Sequence, residues 1–343
     1  MLHELDHIPS GLLTLEVRQL AERLPGPSLI HLPGDQPAPL FVSVLMHGNE
    51  TVGWEAVRQL LQRYAGGRAL PRALSLFIGN ISAAAQGVRR LPGQPDYNRV
   101  WPGSEEPPSP EQAMMRRVVE IMARRAPFAS VDVHNNTGTN PHYACVNRIE
   151  TRFLHLANLF GRTVVYFLRP RGVQSMAMAQ LCPAVTLECG KVGQSHGVEH
   201  ALEYLDACLH LAEHPLHPLA NQDIDLFHTV AQVKVPAGVS FGFAPEDGDI
   251  SFTPDIDQMN FRELPDGTPL AEVRVNAVPL LEVRDETGRD VTGRYFRVEE
   301  GQLCLARPVM PSMLTSDAEV IRQDCLCYLM ERYDSHLHDA DGP

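Results

Sequence analysis

Four side chains of types that bind metals or transfer protons stand where predicted strands end. His47 and Glu50 occur in HGNE, between the apolar run APLFVSVLM and the helical pattern TVGWEAVRQLLQRY. His134 follows a second apolar run in VDVHNNTG, and Glu188 ends a third in VTLECG. Because ligands of open α/β sheets collect beyond the carboxyl ends of the strands, these four side chains are expected to converge.

The types and positions of these four side chains favour a catalytic zinc site. Such a zinc takes three protein ligands of the His2Glu type and leaves its fourth position to water. His47, Glu50 and His134 supply that set, and Glu188 is left as the general base that takes a proton from water. Each residue alone has a plain alternative, since the chain has 15 histidines and a strand-end histidine or an ion-paired glutamate needs no metal.

Asp132 lies two residues before His134 and therefore on the same face of the predicted strand. One expectation is that its carboxylate orients a metal-bound histidine through a hydrogen bond. The alternative is a plain hydrogen-bond acceptor at the end of a strand. The sequence does not decide between the two.

The loop QGVRRLPGQPDYNRVW supplies candidate cations for a substrate pocket. Arg89, Arg90 and Arg99 are the candidates, with Asn98 as an amide partner. An arginine in a cleft binds a carboxylate bidentately, and one beside a metal stabilises an oxyanion. The alternative for arginines in a loop is solvated surface charge.

The order of the predicted elements indicates two domains. Strands alternate with helices over residues 1–220, which predicts an α/β domain with a parallel or mixed sheet. Residues 221–343 are rich in short β-like runs separated by Gly and Pro, which predicts a smaller β-rich domain. The stretch DAEVIRQDCLCYLMERY near its end is interpreted as a closing helix.

Bulk properties limit the partners and the compartment. The formal net charge of -13 argues against a nucleic-acid-binding protein, which would carry a basic surface. The seven cysteines have irregular spacing and predict neither a disulfide framework nor a cysteine zinc site. No signal peptide and no long apolar run is recognised, so a cytoplasmic protein without a membrane partner is expected.

The order of the motifs resembles that of a known family. HGNE, QGVR with DYNR, DVHNNTG and TLECGK are together similar to the succinylglutamate desuccinylase and aspartoacylase family, within the zinc carboxypeptidase-like superfamily. The resemblance covers about residues 40 to 200, and MNFRELPDGTPLAE resembles part of that family's C-terminal β domain. It implies a zinc carboxypeptidase-like mixed sheet flanked by helices, followed by a smaller all-β domain.

The resemblance implies a role for each candidate at the metal. His47, Glu50 and His134 would ligate one zinc ion per chain. Glu188 would be the general base that activates water and the acid that protonates the leaving group.

The resemblance also implies roles on the substrate side. Arg89 would polarise the scissile carbonyl, but an extra Pro-Gly segment before the Asn-Arg pair leaves Arg90 as an alternative. Asn98 and Arg99 would bind the carboxylate of the substrate. The family's further arginine, upstream of the catalytic glutamate, is expected at Arg169 or Arg171.

The implied reaction is hydrolysis of the amide bond of a small N-acyl amino acid, of the N-succinyl or N-acetyl type. Because this family often forms dimers, a homodimer is one expectation for the assembly. Three alternatives stay open: a peptide-cleaving zinc carboxypeptidase, a non-catalytic binding protein on the same fold, and a deacylase acting on an acylated cofactor or sugar.

Overall fold

The computed structural model describes residues 1–245, 248–274 and 280–333. The described residues form two compact units. The first comprises Met1–Asn135, His142–Tyr166 and Pro170–Asp225, and the second comprises Asn136–Pro141, Phe167–Arg169 and the described residues from Leu226 onward. Residues 246–247, 275–279 and 334–343 of the predicted C-terminal domain lie outside the described residues.

The first unit alternates strands with helices. Its strands are β1 His3–Leu5, β2 Ser28–Leu32, β3 Gly34–Val44, β4 Leu70–Ile78, β5 Ala129–Asn136, β6 Tyr143–Val146, β7 Thr163–Tyr166 and β8 Ala184–Lys191. Its α-helices are α1 Val52–Arg63, α2 Ile81–Gln86, α3 Pro110–Arg125, α4 Thr151–Asn158, α5 Gln174–Met178 and α6 Ser195–His210. Short 3-10 helices lie at Leu12–Thr14, Val17–Glu22 and Asn221–Asp223.

The eight strands of this unit lie in one sheet in the order β1-β2-β4-β3-β5-β8-β6-β7. β3 is parallel to both β4 and β5, whereas β2 runs antiparallel to β4 and β6 antiparallel to β8. The prediction of an α/β fold with a mixed sheet is therefore confirmed. The three neighbouring central strands β3, β5 and β8 are the ones that lead into HGNE, carry His134 and carry Glu188.

Alternation along β5 separates an apolar face from a polar face. Val133 packs with Val44 of β3 beneath Gly53 of α1, where both valine side chains lie close to the glycine. The opposite face carries Asp132 and His134, which are both buried. Buried polar groups require hydrogen-bond partners, so the partners of these two residues define the site described below.

The second unit is mostly β-structure. Its strands are β9 Asp225–Lys234, β10 Phe241–Gly242, β11 Ile250–Phe252, β12 Pro269–Val273, β13 Glu282–Asp285, β14 Phe296–Glu299, β15 Gln302–Leu305, β16 Met310–Ser312 and β17 Cys327–Arg332. Its α-helices are α7 Thr292–Tyr295 and α8 Ala318–Gln323, and a 3-10 helix lies at Ile256–Met259. Five strands form a sheet in the order β10-β11-β12-β15-β14, and β9 pairs antiparallel with β13 and β17. A β-rich second part is therefore confirmed.

The expected closing helix is shorter than its sequence pattern suggests. α8 ends at Gln323, and the chain then forms β17, which lies between β9 and β16. Pairing on both sides satisfies the backbone of Cys327–Arg332, and this non-local pairing outweighs the helical spacing of its apolar residues.

Among the described residues, no helix is both long enough and apolar enough to cross a membrane.

Candidate metal centre

The HGNE segment is fixed by its backbone. β3 ends at Val44, and the next residue, Leu45, has a left-handed φ of 58°, which turns the chain out of the sheet. The N–H of Gly48 donates to the carbonyl oxygen of Arg89 at 3.0 Å. A Cβ at Gly48 would lie 2.3 Å from the backbone nitrogen of Ala84, so only glycine allows this approach. The loop that carries His47 is therefore held against α2.

The carboxylate of Glu50 lies between two imidazoles. Its Oε1 is 2.7 Å from Nδ1 of His47, and its Oε2 is 2.7 Å from Nδ1 of His134. Ligand atoms of the three residues all lie within 4.8 Å of one another. All three are buried, with 4%, 7% and 3% of the surface of His47, Glu50 and His134 exposed. The structure thus brings together the three residues predicted as metal ligands.

Each imidazole is held at its other nitrogen by a second carboxylate. Nε2 of His47 lies 2.9 Å from Oδ1 of Asp96, and Nε2 of His134 lies 2.8 Å from Oδ2 of Asp132. The hydroxyl of Ser43 donates to Oδ1 of Asp132 at 2.7 Å. A carboxylate beside Nε2 favours a proton on that nitrogen, which leaves Nδ1 of each ring as the atom that would bind a metal.

Asp132 therefore has the geometry expected of a carboxylate that orients His134, which is one of the two roles that the sequence allows. Asp96 was not singled out from the sequence, although it lies in the DYNR motif that was recognised. Its position two residues before Asn98 was the available signal.

The pKa shifts follow from these contacts. Burial alone would raise the pKa of Glu50, but the imidazoles of His47 and His134 outweigh it and hold that pKa below its ordinary value. Burial likewise opposes the ionisation of Asp96, but His47 and Arg89 keep its pKa well below the ordinary value. Burial alone would lower the pKa of His134, yet Asp132 and Glu50 raise it well above 6.5. The carboxylates of Glu50 and Asp96 and the imidazole of His134 therefore favour their charged forms.

The donor set fits a catalytic zinc ion. Two imidazole nitrogens and one carboxylate are the His2Glu set of zinc hydrolases, which leaves one position for water or substrate. The Asp96 and Asp132 carboxylates supply the outer hydrogen bonds that metal-binding histidines usually have. Metal binding by such a set requires unprotonated Nδ1 atoms, so a cation would compete with protons for the two imidazoles.

Glu188 lies near the end of β8, which is the sheet neighbour of β5. It is paired in register with Tyr143 of β6, and 5% of its surface is exposed. Burial raises the pKa of the adjacent Cys189 thiol, and the charges of Glu188 and Glu50 raise it further.

Asn135 joins the strand ends around the cluster. Its side-chain oxygen accepts a hydrogen bond from Val52 N at the start of α1 at 3.1 Å, and its amide donates to Gly190 O of β8 at 2.9 Å. Its backbone N–H donates to Oε2 of Glu50 at 3.3 Å. The sequence motif HNN contained this residue, but no role was predicted for it.

The structure distinguishes between the two arginines of QGVRR. Nη2 of Arg89 lies 2.8 Å from Oδ2 of Asp96, and its Nη1 lies 3.6 Å from Oε1 of Glu50. Nη1 of Arg90 instead donates to the carbonyl oxygen of Gln94 at 3.2 Å. The guanidinium of Arg89 is thus the one that lies against the buried carboxylates of the cluster.

Asn98 and Arg99 follow Asp96 in the DYNR loop, and the backbone N–H of Asn98 donates to Oδ1 of Asp96 at 2.8 Å. Nδ2 of Asn98 is 3.2 Å from Nε2 of His134, and its Oδ1 accepts a hydrogen bond from Gln174 N at 2.9 Å. Nη1 of Arg99 donates to Asn98 O at 2.8 Å. Of the Asn-Arg pair predicted to bind substrate, Asn98 therefore adjoins the predicted ligand His134, and Arg99 contacts Asn98.

The two candidates for the arginine upstream of Glu188 have contacts of their own in the structure. The side chain of Arg171 is 55% exposed and lies 3.4 Å from Glu105 in a surface ion pair. Arg169 belongs to the second unit, where its Nε donates to Glu286 O at 2.9 Å. The role of Arg171 in substrate binding stays a prediction.

Comparison with known proteins identifies the family. A profile described as the succinylglutamate desuccinylase/aspartoacylase catalytic domain matches residues 39–210. The chain belongs to this family. The matched segment includes HGNE, the DYNR loop, His134 and Glu188, so the family domain contains the whole cluster described above.

Two relatives within the family are succinylglutamate desuccinylases. The chain is 37% identical to that of Pseudomonas putida over 86 residues, which is 25% of this chain and 25% of the relative. It is 31% identical to that of Burkholderia orbicola over 187 residues, which is 45% of this chain and 50% of the relative. The matches thus span half or less of the length of these relatives.

Solved structures of the family share the fold. The succinylglutamate desuccinylase of Chromobacterium violaceum superposes with a TM-score of 0.57 at 20% identity, covering 89% of this chain and 88% of that chain. A succinylglutamate desuccinylase/aspartoacylase from Rhodobacter sphaeroides gives 0.58 at 15% identity, covering 88% of both chains. Murine aminoacylase 3 gives 0.54 at 15% identity, covering 87% of this chain and 96% of that chain.

Proposed function

We propose that this protein is a zinc-dependent amidohydrolase that removes the acyl group from a small N-acyl amino acid of the N-succinyl or N-acetyl type. The observation that carries the proposal is the buried carboxylate of Glu50, which lies 2.7 Å from Nδ1 of both His47 and His134. The occurrence of this cluster within the succinylglutamate desuccinylase/aspartoacylase catalytic domain supports a deacylase.

The three ligands would hold one zinc ion per chain. Bound zinc supplies Lewis acidity, which polarises an acyl carbonyl and lowers the pKa of a coordinated water towards neutrality. Asp96 and Asp132 keep the Nε2 protons of His47 and His134 in place, so that both Nδ1 atoms present a lone pair.

Glu188 performs the proton transfers. Its carboxylate takes a proton from the water that attacks the acyl carbon, and it later gives a proton to the leaving nitrogen. The C–N bond breaks, and the products are a free carboxylate and a free amino acid. Its burial, with 5% of the surface exposed, keeps bulk water from competing for that proton.

Arg89 stabilises negative charge on the carbonyl oxygen during the attack. Its guanidinium is fixed by Asp96 at 2.8 Å and adjoins Glu50, so it needs no reorganisation when that charge develops. Arg90, which contacts the backbone of Gln94, is the alternative that this geometry disfavours.

Asn98 and Arg99 bind the carboxylate of the substrate. A guanidinium beside an amide provides several N–H donors for one carboxylate, and such charge-assisted hydrogen bonds are the strong ones. Their position next to His134 would place the scissile bond at the metal.

A substrate panel tests the proposal. Zinc-loaded protein is assayed with N-succinyl, N-acetyl and longer N-acyl amino acids, with short peptides, and with acylated sugars. Release of the free amino acid from an N-acyl amino acid, abolished by a chelator and restored by zinc, is the expected result. Selective cleavage of peptides would instead assign a carboxypeptidase, and binding without turnover would assign a non-catalytic binding protein.

A further inference from the structure

The loop that carries Asn98 and Arg99 is held by a second segment, Arg171–Gln174. The N–H of Trp101 donates to Gly172 O at 3.0 Å, and the N–H of Gln174 donates to Oδ1 of Asn98 at 2.9 Å. Two backbone groups of one segment thus fix the loop on both sides of Arg99. The side chain of Gln174 is itself anchored, since its Nε2 donates to Ser130 Oγ of β5 at 2.8 Å.

Gly172 allows the Arg171–Gln174 segment to approach the backbone of Arg99 closely. It has a φ of +74°, and a Cβ at this position would lie 2.2 Å from Arg99 O and 2.7 Å from Arg99 C. A contact of that length with backbone atoms cannot be relieved by rotation of a side chain, so the loop itself would have to move. The same carbonyl oxygen of Arg99 accepts a hydrogen bond from Ser104 Oγ at 2.6 Å.

Hydrogen bonds connect the Asn98–Arg99 backbone to the residues of the predicted metal centre. Asn98 lies 3.2 Å from Nε2 of His134, and its N–H donates to Oδ1 of Asp96 at 2.8 Å. The N–H of Arg99 donates to Asp96 O at 3.0 Å. A shift of the Arg99 backbone therefore moves the groups that would contact substrate, whereas His134 stays fixed by β5.

We infer that Gly172 is a positioning residue for substrate binding: it lets the Arg171–Gln174 segment lock the Asn98–Arg99 pair in register with the metal centre. This inference rests on the proposed function, because it assigns that pair to the substrate carboxylate. Gly172 touches neither substrate nor metal, and it acts through the Arg99 backbone.

The first test compares three variants by kinetics and zinc content. In Gly172→Ala, KM is expected to rise about tenfold or more with kcat largely kept and one zinc per chain, because uniform substrate binding is lost. Ser104→Ala, which removes a hydrogen bond to Arg99 O without a clash, is expected to raise KM less. Gly103→Ala is the matched control, since Gly103 has a φ of +93° in the same loop but no atom within 4 Å of a Cβ.

A merely structural role for Gly172 gives a different pattern. Gly172→Ala would then reduce kcat in proportion to the folded fraction and leave KM unchanged, and that result overturns the inference. A KM effect in Gly103→Ala equal to that in Gly172→Ala also overturns it, because backbone strain alone would then explain the change.

A second readout does not require hydrolysis. The chain has two tryptophans, Trp54 and Trp101, so Trp54→Phe leaves one reporter within the loop. Trp101 is 0% exposed. Acrylamide should quench its fluorescence more strongly in Gly172→Ala than in the parent protein, and Gly103→Ala should show no such increase. Unchanged quenching overturns the inference even where the enzyme is active, whereas a wild-type protein that hydrolyses no amide refutes the proposed function alone.

Discussion

Asp96 links His47 to Arg89. Its Oδ1 lies 2.9 Å from Nε2 of His47, and its Oδ2 lies 2.8 Å from Nη2 of Arg89. One buried carboxylate thus orients both a predicted metal ligand and the arginine proposed to stabilise the transition state. Loss of its charge is expected to affect metal binding and chemistry together.

Asp96→Asn is expected to weaken zinc binding by about 10- to 100-fold, the usual effect of removing an outer partner of a metal-binding histidine. Competition with a chromogenic chelator measures the change. Asp132→Asn is the comparison variant: it removes the corresponding partner of His134 and should weaken zinc binding similarly, but it has no contact with Arg89 in the hydrogen bonds described above, so only Asp96→Asn should also lower the kcat of the zinc-loaded protein. Zinc affinity that is unchanged in Asp96→Asn would contradict the proposed role.

Arg89 and Arg90 are adjacent in sequence and are expected to differ in function. Arg89→Lys should lower kcat by about 10²- to 10³-fold, as removal of an oxyanion donor does, because lysine cannot keep the forked contacts with Asp96 and Glu50. Arg90→Lys should retain near wild-type kcat, since Arg90 contacts Gln94 O. Steady-state kinetics of the two variants decide the matter, and the reverse order of effects would assign the role to Arg90.

A cluster of three histidines in the first unit is expected to make the stability of the protein depend on pH. Nδ1 of His142 lies 2.8 Å from Nδ1 of His200, and its ring stacks on His196. Burial, together with His200 and His196, lowers the pKa of His142 from 6.5 to about 4. Between these values the unfolded chain binds more protons than the folded chain, so the free energy of unfolding falls as pH decreases through this window.

His142→Gln should reduce that loss of stability. Urea unfolding at a series of pH values, compared between variant and wild type, isolates the contribution of His142 because the other groups are common to both. Exposed His217, exchanged to Gln, is the control. Equal decreases in the free energy of unfolding for wild type and His142→Gln would show that His142 does not titrate in this way.

The sequence predicted the convergence of His47, Glu50 and His134 because the signal is local. Apolar runs end just before His47 and at His134, and a helical pattern begins just after Glu50. Strand ends of neighbouring strands lie at one edge of a sheet, so convergence of these residues follows from the α/β pattern alone. The structure places them within one hydrogen-bonded cluster.

Two residues without a predicted role have contacts that depend on how distant segments pack. Asp96 lies in the loop before Asn98, and Gln174 is the first residue of the short helix α5. Close backbone approaches occur at Gly48, next to His47, and at Gly172, two residues before Gln174. Such approaches are set by tertiary packing, which residue spacing does not encode. The same limit applies to Cys327–Arg332, whose strand partners are distant in sequence.

The central claim is that His47, Glu50 and His134 hold one zinc ion while Glu188 transfers the proton. Metal analysis of Glu188→Gln and His134→Ala, read with the turnover of each zinc-loaded variant, tests it most directly. Glu188→Gln should keep one zinc per chain and lose about 10²- to 10⁴-fold in kcat, and His134→Ala should lose the zinc. Wild-type turnover by Glu188→Gln, or full zinc occupancy in His134→Ala, would contradict the claim.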